Sequence, residues 1–414
     1  MLEIAACRTV ILGDECNDLV APLTAAVPGL RVVHVDRTSA DAGPTTAGGS
    51  VARPDDPVYL LFTSGTSGVP KGVSISHRNL CAYLDRAVGR YGIGPGDRCS
   101  QAFDLTFDLS AHDLFVTFTT GACLYVPPAA SLMSPARFIS TNRLTSWFSV
   151  PSTAMVLDKL RLLTPDAFPS LRWSLFCGEA LPARLADRWQ RAASHSTVEN
   201  LYGPTETTIA VTSYRWNPQT SPLECERGIV PIGWAFDGHR VVVCRDDGTI
   251  SADGEVGELY VAGPQVTSGY LGDERQTEER FVRLETDGPM FYRTGDLVSA
   301  DVRGCLHYHG RLDDQVQVRG FRVELTEVDA TIRKAAGTDL AMAVAVDLHA
   351  GAATRLLAVV EGAENESRRR LVLDECRRGL PDYMAPVDLV FVEKLPVNAN
   401  GKLDRKGALA VLSR

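Results

Sequence analysis

One stretch limits what this chain can fold into more than any other: PVYLLFTSGTSGVPKGVSISHRNL, residues 57–80. The apolar run is far too short for a membrane span and is bounded by turn residues, so it reads as a buried strand. A Gly/Ser/Thr loop with a single lysine follows, and then Ser76 or His77 opens a helix. In the loop, Gly65, Gly68 and Gly72 permit close backbone approach and positive φ. Thr63, Ser64, Thr66 and Ser67 offer hydroxyls, and Lys71 offers a charge. These parts suit a polyphosphate. The loop is not a Walker A sequence, because Pro70 stands where its second glycine would be and Gly72, not Ser or Thr, follows Lys71. Gly65-Thr66-Ser67-Gly68-Val69 also lacks the second glycine of a nucleophile elbow. Taken alone, the stretch is equally compatible with an ordinary solvated connection.

The rest of the chain supplies context. Residues 8–13 and 30–36 are short β-branched runs separated by a helical pattern, a βαβ-like beginning, and residues 38–57 are Ala/Gly/Thr/Pro-rich and read as a surface loop. Helices are predicted over 110–120, 152–162 and 181–193, and strands over 144–150, 173–177 and 196–201. That alternation specifies a layered α/β domain. From about 227 to 312 the texture becomes short strands with Gly/Asp turns, a β-rich subdomain. From Asp313 onward strands and helices mix again, as in a small α+β domain. The predicted organisation is a large core of residues 1–312 and a small C-terminal domain of residues 313–414.

Composition narrows the partners. The net charge is −9 and no basic face is clustered in the sequence, which argues against a nucleic-acid binder. The ten cysteines form no CxxC or zinc spacing, as expected of reduced thiols in a cytoplasmic protein. The N-terminus lacks a basic n-region and does not read as a signal peptide, and no run is long enough for a membrane span.

Seven segments in order carry a resemblance: LLFTSGTSGVPKG, FDLTFDLSAHDLF, NLYGPTETT, GELYVAGPQVTSGYLGD, YRTGDLV, GRLDDQVQVRGFRVEL and LPVNANGKLDRK. Together they resemble the adenylate-forming (AMP-binding) superfamily. More narrowly, they are similar to amino-acid adenylation domains of nonribosomal peptide synthetases and to free-standing ligases that load D-alanine on a carrier protein. FCGEALP and YGPTETTIAVTS are especially like the D-alanine branch. The resemblance implies a ligase that converts a carboxylate and MgATP to an acyl-adenylate and pyrophosphate. It then transfers the acyl group to the phosphopantetheine thiol of a carrier protein.

By the same resemblance, Thr63, Ser64, Gly65, Thr66, Ser67 and Lys71 would hold the β- and γ-phosphates, and Glu206 would hold Mg²⁺, an oxygen ligand for a hard cation. Gly178, Glu179, Ala180, Asn200, Tyr202, Gly203 and Thr205 would form the nucleotide pocket, with Tyr202 packed on the adenine. Asp296 would accept the ribose hydroxyls with Arg311 in support. Lys402, presented from a turn, would bridge the substrate carboxylate and the α-phosphate, so that Lys402 and Glu206 are the expected catalytic residues. Asp313 would be the hinge of the small domain, a backbone position rather than a chemical group. Gln317 stands where many relatives have lysine.

Asp108 falls where amino-acid-activating members pair a carboxylate with the substrate ammonium. The implied pocket wall is Leu109, His112, Ser149, Leu175, Cys177, Leu201, Ile209 and Ala210. Only His112 among these can carry a charge, and the expected substrate is a small, uncharged amino acid. Full members of the family carry more sequence before the phosphate loop than this chain. A late start, a split domain and a shortened protein all remain open. With no carrier segment after Lys402, the expectation is a carrier in trans or a piece of a larger synthetase. The alternatives are an acyl- or aryl-CoA synthetase of the same fold and a truncated, non-catalytic binding partner.

Overall fold

The computed structural model describes residues 1–35, 51–63, 70–128, 135–313, 315–346, 352–397 and 403–412. The stretch at 57–80 folds as two strands and a helix. Pro57–Thr63 pairs antiparallel with Lys71–Ser76, and Thr63 stands opposite Lys71 in the register. Two expectations change here. Lys71 begins a strand and is 4% exposed rather than sitting on an open loop. The first strand is only half-buried: among the described residues it has one partner strand, which leaves its other edge unpaired. Ser64, Gly65, Thr66 and Ser67 lie outside the described residues.

The helix His77–Tyr91 starts where the sequence places it. The Ser76 hydroxyl accepts from the Asn79 amide at 3.2 Å, and the Asn79 side chain accepts from the Ser76 amide at 3.1 Å, a reciprocal cap. Its buried positions Leu80, Tyr83, Ala87 and Tyr91 recur at helical spacing, so one stripe enters the core.

That core lies on one face of a seven-stranded sheet. Its order is Trp234–Ala235, Thr212–Arg215, Thr197–Tyr202, Trp173–Phe176, Ser146–Ser149, Arg98–Ser100 and Cys123–Tyr125. The strands from 98 to 202 pair in parallel, while 212–215 and 234–235 add antiparallel at one edge. In SWFS and WSLF both faces are buried: Phe148 and Leu175 join one cluster, and Trp147 and Phe176 join another with Leu157, Leu185 and Trp189. Each large apolar side chain buried in this way contributes roughly 1.5–3 kcal/mol, and helices on both sides are what a parallel sheet requires.

The β-rich part is present as Arg240–Cys244, Gly257–Ala262, Met290–Ala300 and Phe281–Arg283 in that order, with Leu306–Arg311 on Met290–Ala300. Near the N-terminus Thr9–Gly13 and Arg31–Val35 pair in parallel across the helix Val20–Ala26, as the βαβ pattern predicts.

The C-terminal part has two apolar clusters that draw only on residues 316–412. They lie among the strands Ala341–Val346, Arg355–Glu361 and Asp388–Val392 and the helices Leu325–Ala336, Glu366–Gly379 and Arg405–Leu412. Arg405 clamps Asp329 with two bonds of 3.0 and 2.7 Å, joining the last helix to the first helix of this part. A bridge between Val397 and Leu403 brackets the expected catalytic turn. Lys402 itself lies outside the described residues.

Candidate active site

The strands Trp173–Phe176 and Thr197–Tyr202 run in parallel and end at the same edge, where an α/β sheet offers its crevice. A cavity opens there, lined by Gly178, Glu179, Ala180, Leu201, Tyr202, Gly203, Pro204, Ile232, Asp296, Tyr308, Arg311, Gln315, Gln317 and Arg322. Seven expected nucleotide residues therefore meet: Gly178, Glu179, Ala180, Tyr202, Gly203, Asp296 and Arg311. Asn200 does not line it. Its amide nitrogen points away and donates to the Pro231 carbonyl at 2.9 Å, a structural anchor. Gly203 has a packing reason for lacking a side chain, since a Cβ would stand 2.6 Å from the Ala210 Cα.

Asp296 is already oriented. The Tyr202 hydroxyl donates to Oδ2 at 2.6 Å and Arg311 donates to Oδ1 at 2.7 Å. Each oxygen keeps a further acceptor direction, which is what a pair of ribose hydroxyls requires. Arg311 also grips Asp313 at 2.7 and 2.9 Å, and Arg280 lies 3.5 Å from the same carboxylate. The expected hinge residue is thus tied through Arg311 to the expected ribose carboxylate. Glu179 accepts from the Ser152 amide at 2.7 Å at the start of the helix Pro151–Lys159, and burial pushes its carboxyl up.

The residues expected to face the phosphates, Lys71 and Glu206, are both buried. Burial, and then the Arg322 charge, lower the Lys71 pKa. Its Nζ lies 5.6 Å from the centre of the Tyr270 ring. Glu206 is fully buried. Burial would push it up, but Arg322 and the Tyr270 hydroxyl outweigh that and hold it down at about 2. The Tyr270 hydroxyl donates to Oε1 at 2.8 Å and Arg322 donates to Oε2 at 2.7 Å. A buried carboxylate held ionised offers the hard oxygen ligand that a divalent ion such as Mg²⁺ takes.

The expected substrate pocket lies on the adjoining face. Asp108, at the start of the helix Leu109–Thr119, is 5% exposed and does not cap that helix. Its Oδ2 is buried and has no hydrogen-bond partner. Burial raises its pKa to about 7 against the pull of the Ile209 amide and the Thr205 hydroxyl. Thr205, also expected at the nucleotide, is not on the cavity wall. Leu109, Leu175, Cys177, Leu201, Ile209 and Ala210 are buried in one cluster with Tyr83 and Phe148. His112 joins them through its Nδ1, 2.6 Å from the Tyr83 hydroxyl, and burial lowers its pKa to about 3. The wall is therefore neutral around Asp108. Ser149 is turned differently: its hydroxyl accepts from the Trp147 indole at 3.0 Å, on the face opposite Phe148 and Leu175.

Three residues that contact Lys71 or Glu206 were not among the sequence candidates: Tyr270, Arg322 and Glu324. A signal existed in GFRVEL, where Arg and Glu flank a valine at strand spacing and so share one face. Elsewhere, Asp301, Cys305 and His307 bring ligand atoms within 4.8 Å of one another. The Asp301 carboxylate is engaged by the Arg303 guanidinium at 3.0 and 3.1 Å and by the Cys305 amide at 2.8 Å, so the group reads as a tight turn.

The chain is similar over most of its length to known proteins. Residues 1–271 match the family model of the AMP-binding enzymes. The chain is 33% identical over 365 residues to the D-alanine--D-alanyl carrier protein ligase of Bacillus cytotoxicus, covering 86% of this chain and 71% of that protein. It is 35% identical over 370 residues to the L-proline--[L-prolyl-carrier protein] ligase of Pseudomonas fluorescens, covering 88% and 70%. Among solved structures, the Vibrio cholerae adenylation domain AlmE, in complex with glycyl-adenosine-5'-phosphate, superposes with a TM-score of 0.83 at 33% identity. That match covers 99% of this chain and 76% of the other.

Proposed function

The chain belongs to the AMP-binding enzyme family, and from that premise we propose that it activates a small amino acid with an uncharged side chain. In the first step a carboxylate oxygen of the amino acid attacks the α-phosphorus of ATP, the bond to the β-phosphate breaks, and pyrophosphate leaves. In the second, the phosphopantetheine thiol of a carrier protein in trans attacks the acyl carbon, gives up its proton and releases AMP.

The observation that carries this reading is Asp108: a buried carboxylate with an unpartnered Oδ2 in a neutral wall. A fatty or aryl acid would leave it unpaired, whereas an α-ammonium group satisfies it. This disfavours the CoA-ligase alternative. The relatives named above are ligases of D-alanine and of L-proline to carrier proteins, and the similar structure holds glycyl-adenosine-5'-phosphate, so all three amino acids are small. Asp296, with Tyr202 and Arg311, binds the ribose, and Lys71 faces the polyphosphate. Lys402 stabilises the charge that develops between the substrate carboxylate and the α-phosphate. Glu206 would hold Mg²⁺, which would supply charge neutralisation on the phosphates. The small C-terminal unit, residues 313–414, turns about Asp313 between the two steps. The test is a panel of amino acids in the amino-acid-dependent exchange of labelled pyrophosphate into ATP. Alanine, glycine or serine should support exchange above large aromatic or charged amino acids, and preference for a large aromatic one overturns the size assignment.

A further inference from the structure

Arg322 and Glu324 are alternate residues of one short strand, Phe321–Glu324, so their side chains leave it on the same face. That face meets the phosphate side of the site. Arg322 donates to Glu206 at 2.7 Å, and Glu324 lies 3.9 Å from the Lys71 ammonium. Gln315, across the hairpin, donates to Glu324 at 2.7 Å and fixes its direction. All four charged side chains are deeply buried, the most exposed being Arg322 at 14%.

The seat of this hairpin is also built by packing. Its turn at Gly320 has φ +87, and a Cβ there would stand 2.4 Å from Val150 Cγ1. Phe321 lies 5.5 Å from the Phe107 ring and stacks on Tyr383 at 3.9 Å.

Glu206 and Lys71 are the residues assigned above to the metal and the polyphosphate. In this pose each is already neutralised by a group of the sign its ligand would bring. Placing Mg²⁺ beside Arg322, or a phosphate beside Glu324, would set like charges together in a dry site. Withdrawing the hairpin with nothing in its place would leave a buried carboxylate uncompensated.

We propose that Arg322 and Glu324 are a built-in surrogate for Mg²⁺ and pyrophosphate. They take over Glu206 and Lys71 when pyrophosphate leaves, and Mg²⁺–polyphosphate must displace them to enter. The inference rests on the proposed function for its assignment of Glu206 and Lys71. It adds positioning residues to that reaction and makes the docked hairpin and the metal–phosphate complex mutually exclusive.

The test uses the full chain and inorganic pyrophosphate with Mg²⁺ as the probe. Hydrogen exchange at the backbone amides of residues 315–324 should be slow in the free protein and at least tenfold faster when the probe saturates it. AMP alone should leave it slow. Arg322→Gln and Glu324→Gln should each bind the probe several-fold more tightly than the parent by calorimetry, because the competing state is weakened. Unchanged exchange with the probe, release by AMP alone, or weaker probe binding by both variants overturns the proposal. Glu324→Gln is isosteric and serves if the other variant does not fold. No amino acid enters this test, so a chain that fails pyrophosphate exchange yet releases its hairpin would refute the proposed activity and leave the surrogate standing.

Discussion

Tyr202 and Asp296, 94 residues apart in sequence, are joined by a 2.6 Å hydrogen bond from the phenol to Oδ2. The bond fixes the carboxylate that the proposed mechanism gives to the ribose, and it leaves the tyrosine ring on the cavity wall. Tyr202→Phe keeps the ring and removes the donor. A hydrogen bond to a charged group is worth about 1.5–3 kcal/mol, so the KM for ATP should rise about tenfold. The KM for the amino acid, in the same exchange assay, should stay within about twofold.

Asp108 predicts a pH dependence. Its folded value of about 7 lies above the ordinary 3.8, so the folded chain holds this proton when the unfolded chain has lost it. Between pH 4 and 7 this group therefore lowers stability as pH rises. Amino-acid binding runs the other way, since the ammonium group needs the carboxylate. Affinity should climb as pH rises through about 7 and then level off, as measured by calorimetry. In Asp108→Asn that climb should vanish and affinity should fall at least a hundredfold.

Leu201 is 2% exposed and packs in the cluster that holds Cys177 and Ile209. Leu201→Ala should cost about 2–5 kcal/mol in a thermal or denaturant unfolding experiment, as truncations in packed cores do. The space it leaves should shift the exchange panel toward longer aliphatic amino acids.

Arg405, three residues after Lys402 in the sequence, makes a double contact with Asp329. Asp329 also accepts from the Ala343 amide at 2.7 Å and lies 3.4 Å from Arg333, so removing Arg405 takes away a charge-assisted contact without orphaning the carboxylate. Arg405→Ala should lower stability by about 1.5–3 kcal/mol. It should also speed hydrogen exchange in the helix Arg405–Leu412 while leaving the helix His77–Tyr91 protected.

Much of this was legible from local pattern. Ser76 or His77 was readable as a helix start, and the runs at 144–150 and 173–177 as strands, and the structure has both. Ordered motifs marked Asp296 and Arg311, which line the cavity, and Asp108, which is buried but not on its wall. What sequence could not supply was partnership across distance. Nothing near Glu206 indicates that Arg322, 116 residues later, would hold it. Nothing near Asn200 indicates that its amide turns to Pro231 rather than to the cavity. Lys71 reads as a loop lysine because glycines precede it, but the pairing of Thr63 with Lys71 makes it the buried first residue of a strand.

The most direct test of the central claim is amino-acid-dependent exchange of labelled pyrophosphate into ATP by this chain and by its Lys402→Ala variant. The account predicts exchange that requires a small amino acid and Mg²⁺ and that falls by at least a hundredfold in the variant. Exchange that ignores the amino acid, or that survives unchanged without Lys402, would contradict it.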